Sequence, residues 1–204
     1  MGLAERKERD KAELKDLILQ AAKRLMLKDG QEGLSIRKIA NDIEYSPATI
    51  YLYFKDKDEI LHELMEMGFL KMNKYMNAAF TEQDAVRRIY LIGEGYVKFG
   101  LENKDWYYLM FNSDKPMKHI EKCREEWDEG MLMFDFLANT CKEAIQNLSL
   151  KFKDERILAL HLWSCVHGLV TLAQSDRIEI VEAGQKESLI TRTLDSMLIS
   201  IFDR

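Results

Sequence analysis

Apolar positions recur every three or four residues along almost the whole chain, the signature of helices that each bury one face. Leu14, Leu17, Ile18, Ala21 and Leu25 form the first such stripe, and Asp29-Gly30 supplies its stop. Ile36, Ile39, Ala40 and Ile43 repeat the spacing in a short helix that Ser35 can cap. Ser46-Pro47 then places an N-cap before a proline at the first helical position, which restarts the helix sharply. The next helix is expected over 57–79, where Asp58 and Glu59 suit the positive end of its dipole. Others are expected over 82–103, 106–111, from Asn112-Ser113-Asp114 and Pro116 to Leu148, over 154–175 and over 185–202. No alternating strand pattern and no internal repeat interrupts this series. The pattern predicts an all-α protein of nine helices. A three-helix head occupies 1–56 and a larger helical domain occupies 57–204.

Composition narrows this picture in three ways. The chain has 204 residues, 2 prolines and 10 glycines, too few turn formers for an all-β sandwich. Its net charge of −5 excludes a molecule coated in positive charge for indiscriminate nucleic-acid binding. That charge resides wholly beyond residue 60, because 1–60 balance 12 Lys/Arg against 12 Asp/Glu. The three cysteines, Cys123, Cys141 and Cys165, form no C-x-x-C pair, and no signal peptide opens the chain, so a cytoplasmic protein with reduced thiols is expected. Residues 157–175 carry no formal charge and are long enough to span a bilayer. Two histidines, two serines, a threonine and a glutamine make them a poor lipid surface. A helix buried on nearly all sides by protein is expected, with no membrane partner. The first 15 residues mix both signs of charge and are expected to be a solvated, partly disordered arm.

Function concentrates in residues 33–61. Two short helices separated by about three residues have the layout of a helix-turn-helix, with Ile36, Ile39, Ala40, Ile43, Ile50 and Phe54 as its small core. Outward on the second helix lie Pro47, Ala48, Thr49, Tyr51, Leu52 and Tyr53, whose hydroxyls can bond phosphates or base edges. The run Leu-Ser-Ile-Arg-Lys-Ile-Ala from Leu34, then Thr49-Ile50-Tyr51-Leu52-Tyr53-Phe54 and Lys57-Asp58-Glu59-Ile60-Leu61, strongly resembles the DNA-binding head of the TetR family of bacterial transcriptional regulators. One departure is Glu44 in the turn, where that family often has glycine. The resemblance implies DNA contacts from Ser35 and Arg37, base contacts from Pro47, Ala48 and Thr49, and phosphate or sugar contacts from Tyr51, Tyr53, Lys55 and Lys57. It implies a palindromic double-stranded operator and a homodimer, with repression rather than activation expected from the family.

The rest of the chain resembles the ligand-binding domains of that family, mainly in layout. Trp163-Ser164-Cys165-Val166-His167-Gly168-Leu169 is similar to the Trp…His-Gly segment of one C-terminal subgroup. The last two helices would pair with their twofold copies in a four-helix bundle, using Leu189, Leu194, Met197, Leu198 and Ile201. Aromatic and methionine side chains are candidates to line a cavity for an unknown, mostly apolar small molecule. They are Tyr96, Phe99, Trp106, Tyr107, Met110 and Phe111, then Trp127, Met131, Phe134, Trp163 and His167. Ordinary core packing is the competing reading for each of them, and Glu94 reads as a surface partner of Lys98. His161 and Cys165 share a helical face, but no second Cys/His pair completes a metal site, and no cofactor motif occurs. Two other function classes compete: an enzyme using His167 as a base, and a DNA-silent helical dimer acting through protein contacts. Salt-dependent duplex binding separates the regulator from both.

Overall fold

A computed structural model describes residues 2–111, 128–148 and 150–202, which are helical with no strand among them. α1 spans Leu3–Gly33 and changes course at Gly30 (φ 71°, ψ 173°), where the sequence placed its stop. The expected disordered arm is instead helical from Leu3. Its charges fall at helical spacing: Arg9 meets Glu13 one turn on at 3.4 Å, and Lys15 reaches Glu63 at 2.8 Å. The buried face of α1 is Ile18, Leu19, Ala21, Ala22 and Met26, whereas Leu17 is exposed.

α2 (Ile36–Asp42) and α3 (Pro47–Ile50) follow, each started by the expected serine. Ser35 Oγ accepts from the Lys38 amide at 3.2 Å, and Ser46 Oγ accepts from the Thr49 amide at 3.1 Å. Between the helices, Glu44 takes a left-handed conformation (φ 59°), the place where the related pattern carries glycine. Ile36, Ile39, Ala40, Ile43, Ile50 and Phe54 are all buried, as the spacing predicts.

α4 (Lys57–Asn73) is shorter than the 57–79 helix read from the sequence. The chain tightens into a 3₁₀ turn at Lys74–Met76 and resumes as α5 (Asn77–Thr81). The apolar spacing continues through this break, so periodicity alone does not reveal it. Residues 57–68 form one compact unit with the head and with 108–111, so that unit ends at Gly68 within α4 rather than at residue 56. Ile60, Leu61 and Leu64 are buried in this part of α4.

The second unit contains 69–107 and the described residues from 128 onward. α6 (Ala85–Glu102) opens on Asp84, whose carboxylate accepts from the Arg87 amide at 2.8 Å. α7 is Lys104–Phe111, α8 Asp128–Leu148, α9 Glu155–Gln174, α10 Arg177–Val181 and α11 Lys186–Phe202. α6 packs on α8, α9 and α11. Two glycines of α6 permit this. A Cβ on Gly95 would lie 2.6 Å from the Tyr75 carbonyl oxygen, and one on Gly100 would lie 2.5 Å from Val170 Cγ1. By composition α9 is long and apolar enough to cross a membrane. Within one chain it is not buried on nearly all sides, as the sequence reading expected. Leu158, Leu162, Val166, Val170 and Ala173 face the bundle, while Ile157, Leu160 and Leu172 face outward. Cys123, Trp127 and the first part of the helix expected to end at Leu148 lie outside the described residues.

Candidate functional site

The head presents its candidate DNA contacts as one set of helix starts and turns. Arg37, Ala48, Tyr51, Leu52 and Lys55 are exposed, and Pro47, Thr49, Tyr53 and Lys57 are half-buried. α3 itself is one turn long. Beyond Ile50 the path is held by tight turn bonds, Leu52 N–H to the Thr49 carbonyl at 3.2 Å and Tyr53 N–H to Ile50 at 2.9 Å. These bonds keep Tyr51 and Leu52 projecting although the α-helix has ended. Ser35 is exposed and already serves as a cap. Thr49 Oγ1 lies 2.9 Å from Ser46 Oγ, a hydrogen bond that restrains its rotamer.

Charge is sorted in the same region. Arg24 pairs with Asp42 at 2.7 Å and Lys38 with Asp29 at 2.9 Å, which holds the Asp29 carboxyl below its ordinary range. Arg37, Lys55 and Lys57 make no ion pair among the described residues. They are therefore available to phosphates. Lys57 opens α4, whose start is held by Asp56: its carboxylate accepts from the Glu59 amide at 3.0 Å, while Glu59 reaches back to the Lys55 amide. The sequence reading credited this start only to its dipole. The D-x-x-E spacing of Asp56 and Glu59 was the signal for the cap.

In the second unit, four of the proposed ligand residues form one polar knot inside an apolar bundle. Trp163 Nε1–H donates to Tyr96 Oη at 3.1 Å. Tyr96 O–H donates to Tyr107 Oη at 3.3 Å, and Tyr107 Oη is hydrogen-bonded to His167 Nδ1 at 2.6 Å. Tyr96 Oη also lies 3.0 Å from that nitrogen, and Tyr107 O–H reaches the His167 carbonyl oxygen at 3.4 Å. The Tyr107 ring stacks on His167 with centroids 5.5 Å apart. Burial raises the Tyr96 phenol strongly and pushes Tyr107 up to about 12. It lowers His167, so the neutral ring is the favoured form.

The other candidates distribute around this knot or away from it. Phe134 lies 6.1 Å from the Trp163 ring, and the Arg156 guanidinium lies 5.0 Å from the Phe134 ring centre. Met131 is half-buried. Phe99 is fully buried against Tyr75, and Trp106 has Lys71 over its ring at 5.9 Å. Met110 and Phe111 belong to the unit that contains the head, and Trp127 lies outside the described residues. A second polar group went unread in the sequence. Tyr75 O–H donates to Glu102 at 2.9 Å, and Asn103 Nδ2 donates to Tyr75 Oη at 2.9 Å and to the Phe99 carbonyl at 3.1 Å. Only the helix-ending character of Asn103 hinted at it.

Known proteins place these features. The profile described as bacterial regulatory proteins, tetR family, matches residues 18–64, and that described as tetracyclin repressor-like, C-terminal domain, matches 89–197. An uncharacterized HTH-type transcriptional regulator of Haemophilus influenzae is 31% identical over 127 residues, 58% of this chain; the match covers 66% of that protein, just under two thirds of its length. The fold is shared with a protein of unknown function from Rhodococcus sp. RHA1 (TM-score 0.70, 23% identity, 93% of this chain and 95% of that one). It is shared as well with the Bacillus subtilis transcriptional regulator FadR in complex with stearoyl-CoA (TM-score 0.68, 19% identity, 90% of this chain and 97% of that one). From its capped helix-turn-helix to its C-terminal bundle, this chain belongs to the TetR family of DNA-binding bacterial transcriptional regulators.

Proposed function

We propose that the chain is a cytoplasmic, homodimeric repressor whose heads grip successive major grooves of a palindromic operator. The observation that carries this reading is the set of exposed Ala48, Tyr51 and Leu52 beside half-buried Pro47, Thr49 and Tyr53, accompanied by Arg37, Lys55 and Lys57, which make no ion pair among the described residues. Pro47, Ala48 and Thr49 read bases from the start of α3. Ser35, Tyr51, Tyr53, Lys55 and Lys57 hold the backbone. The dimer forms through α9 and α11, supported by the outward stripe of Ile157, Leu160 and Leu172 on one helix and Ile199 on the other. Lys57→Ala should weaken binding to all duplexes alike and reduce the salt slope by about 1, whereas Pro47 and Ala48 substitutions should change which sequence is preferred. A changed preference in Lys57→Ala would remove its assignment to phosphate.

The effector we propose is a small, mostly apolar molecule held near Tyr96, Tyr107, Trp163 and His167. Its support is the knot's combination of aromatic walls and a few convergent polar atoms, together with the stearoyl-CoA bound by the Bacillus subtilis neighbour. The knot serves recognition rather than catalysis, because Tyr107 already occupies His167 Nδ1 at 2.6 Å. Release requires higher effector affinity for the DNA-incompetent state.

A further inference from the structure

The outward face of α9 carries two metal-binding donors that the proposed operator and effector sites leave unused. His161 and Cys165 stand four residues apart, so they share one face of the helix with Cβ atoms about 5–6 Å apart. Both are exposed, and neither makes a hydrogen bond or ion pair among the described residues. The His161 ring lies 5.7 Å from that of Phe152, a packing contact that uses neither ring nitrogen. Together the two donors border a groove of about 560 Å³ between α9 and α11, with Arg192, Thr193, Ser196 and Ser200 along the α11 wall.

The chemistry of this groove selects among ions. No carboxylate lines it, which disfavours calcium and magnesium. Thiolate and imidazole suit zinc, and a thiol gives up its proton when it coordinates. Arg192 makes no ion pair among the described residues, so its cation stands where coordinated thiolates would bring negative charge. One chain is two donors short of zinc's usual four, and no three of its described His, Cys, Asp or Glu residues gather as a site. A twofold copy of α9 would bring the other two. The pair is central on this helix (Glu155–Gln174), and where a helix crosses its own twofold copy each residue meets its counterpart. Ser164 lies between the two donors, and at Gly168 nothing from another part of the chain comes within 4 Å of where a Cβ would stand. These small positions, flanked by outward Ile157, Leu160 and Leu172, leave room for a second α9 where the donors lie.

We infer that His161 and Cys165 join the partner's His161 and the partner's Cys165 in a zinc site of two thiolates and two imidazoles across the dimer seam. The inference rests on the reading of a homodimer through α9 and α11, and it adds an ion that neither subunit holds alone. The test uses the full chain, freed of metal by chelation and titrated with cobalt(II), then with zinc. Cobalt should bind at one ion per two chains and show thiolate-to-metal charge transfer with the visible bands of a tetrahedral site, and zinc should displace it. Cys165→Ser and His161→Ala each remove two of the four ligands and should abolish those bands, whereas Cys123→Ser should keep them. Both altered side chains are exposed, so the metal-free variants should match the wild type in helical circular dichroism. In sedimentation, zinc should move the wild-type monomer–dimer midpoint to roughly tenfold lower protein concentration and leave Cys165→Ser unmoved. A wild type that dimerises without charge transfer, binds one ion per chain, or keeps its bands in Cys165→Ser would overturn the inference while the dimer stands. A wild type that stays monomeric with and without zinc would remove both together.

Discussion

Glu44 stands at φ 59° in the turn between α2 and α3, a conformation that costs an L-residue about 1 kcal/mol relative to glycine. Its position was readable as a departure from the family pattern, and the backbone keeps the turn geometry despite the glutamate. Glu44→Gly should therefore raise stability by about 0.5–1 kcal/mol in chemical denaturation, with operator affinity unchanged. A loss of stability would mean that the glutamate side chain contributes more than its backbone costs. His167 gives a second residue-scale prediction. Its folded pKa lies below the ordinary 6.5, so the contribution of the neutral ring is complete above pH 6.5 and declines as pH falls from there toward the lowered value. The melting temperature should drop across that window in the wild type. In His167→Asn, which keeps an acceptor near Tyr107 but cannot titrate, the drop should be smaller. Parallel curves would show that His167 does not govern the acid side. None of this partnership was visible in the sequence, because Tyr96 and Tyr107 sit 71 and 60 residues from His167 and only the folded bundle brings them together.

At the scale of elements, the capped starts of α2, α3 and α6 were the most legible features, since each depends on a serine or aspartate next to the helix it begins. Breaks without a local signal were not. α4 ends at Asn73, and the following 3₁₀ turn shortens the expected rod of about 35 Å to about 25 Å. The turn coincides with a tertiary contact: α6 crosses so closely at Gly95 that the Tyr75 carbonyl occupies the place of a side chain. Gly100 marks a second close crossing. Gly100→Ala should cost about 1–3 kcal/mol through overlap with Val170, and Val170→Ala in the same chain should restore part of it. Additive losses would place the strain elsewhere. α9 shows how a long uncharged run misleads. Its lack of charge reflects two apolar faces, one inside the chain and one outward, rather than enclosure by its own chain. Leu169 belongs to the inner set, so aspartate there tests folding, whereas Leu160 and Leu172 are the outward positions. Leu172→Asp should yield folded monomers or weakened dimers by sedimentation. An unchanged dimer would locate the interface off α9.

Across the whole molecule, the core and caps of the helix-turn-helix were read almost residue by residue because they lie within 33–61, whereas α1 was read with an exposed Leu17 in its stripe and without its helical start. The effector region was read only as an inventory of aromatics. Periodicity cannot tell a ring that packs, such as Phe99, from one that joins a polar chain, such as Tyr96. The central claim is that two heads read a palindrome. Selecting the full chain against a randomised duplex library tests this most directly. The predicted result is enrichment of inverted repeats whose half-sites lie about one helical turn apart or a multiple of it, with affinity falling steeply with salt. Recovery of no repeated half-site, or enrichment that survives mutation of Pro47 and Ala48 unchanged, would contradict it.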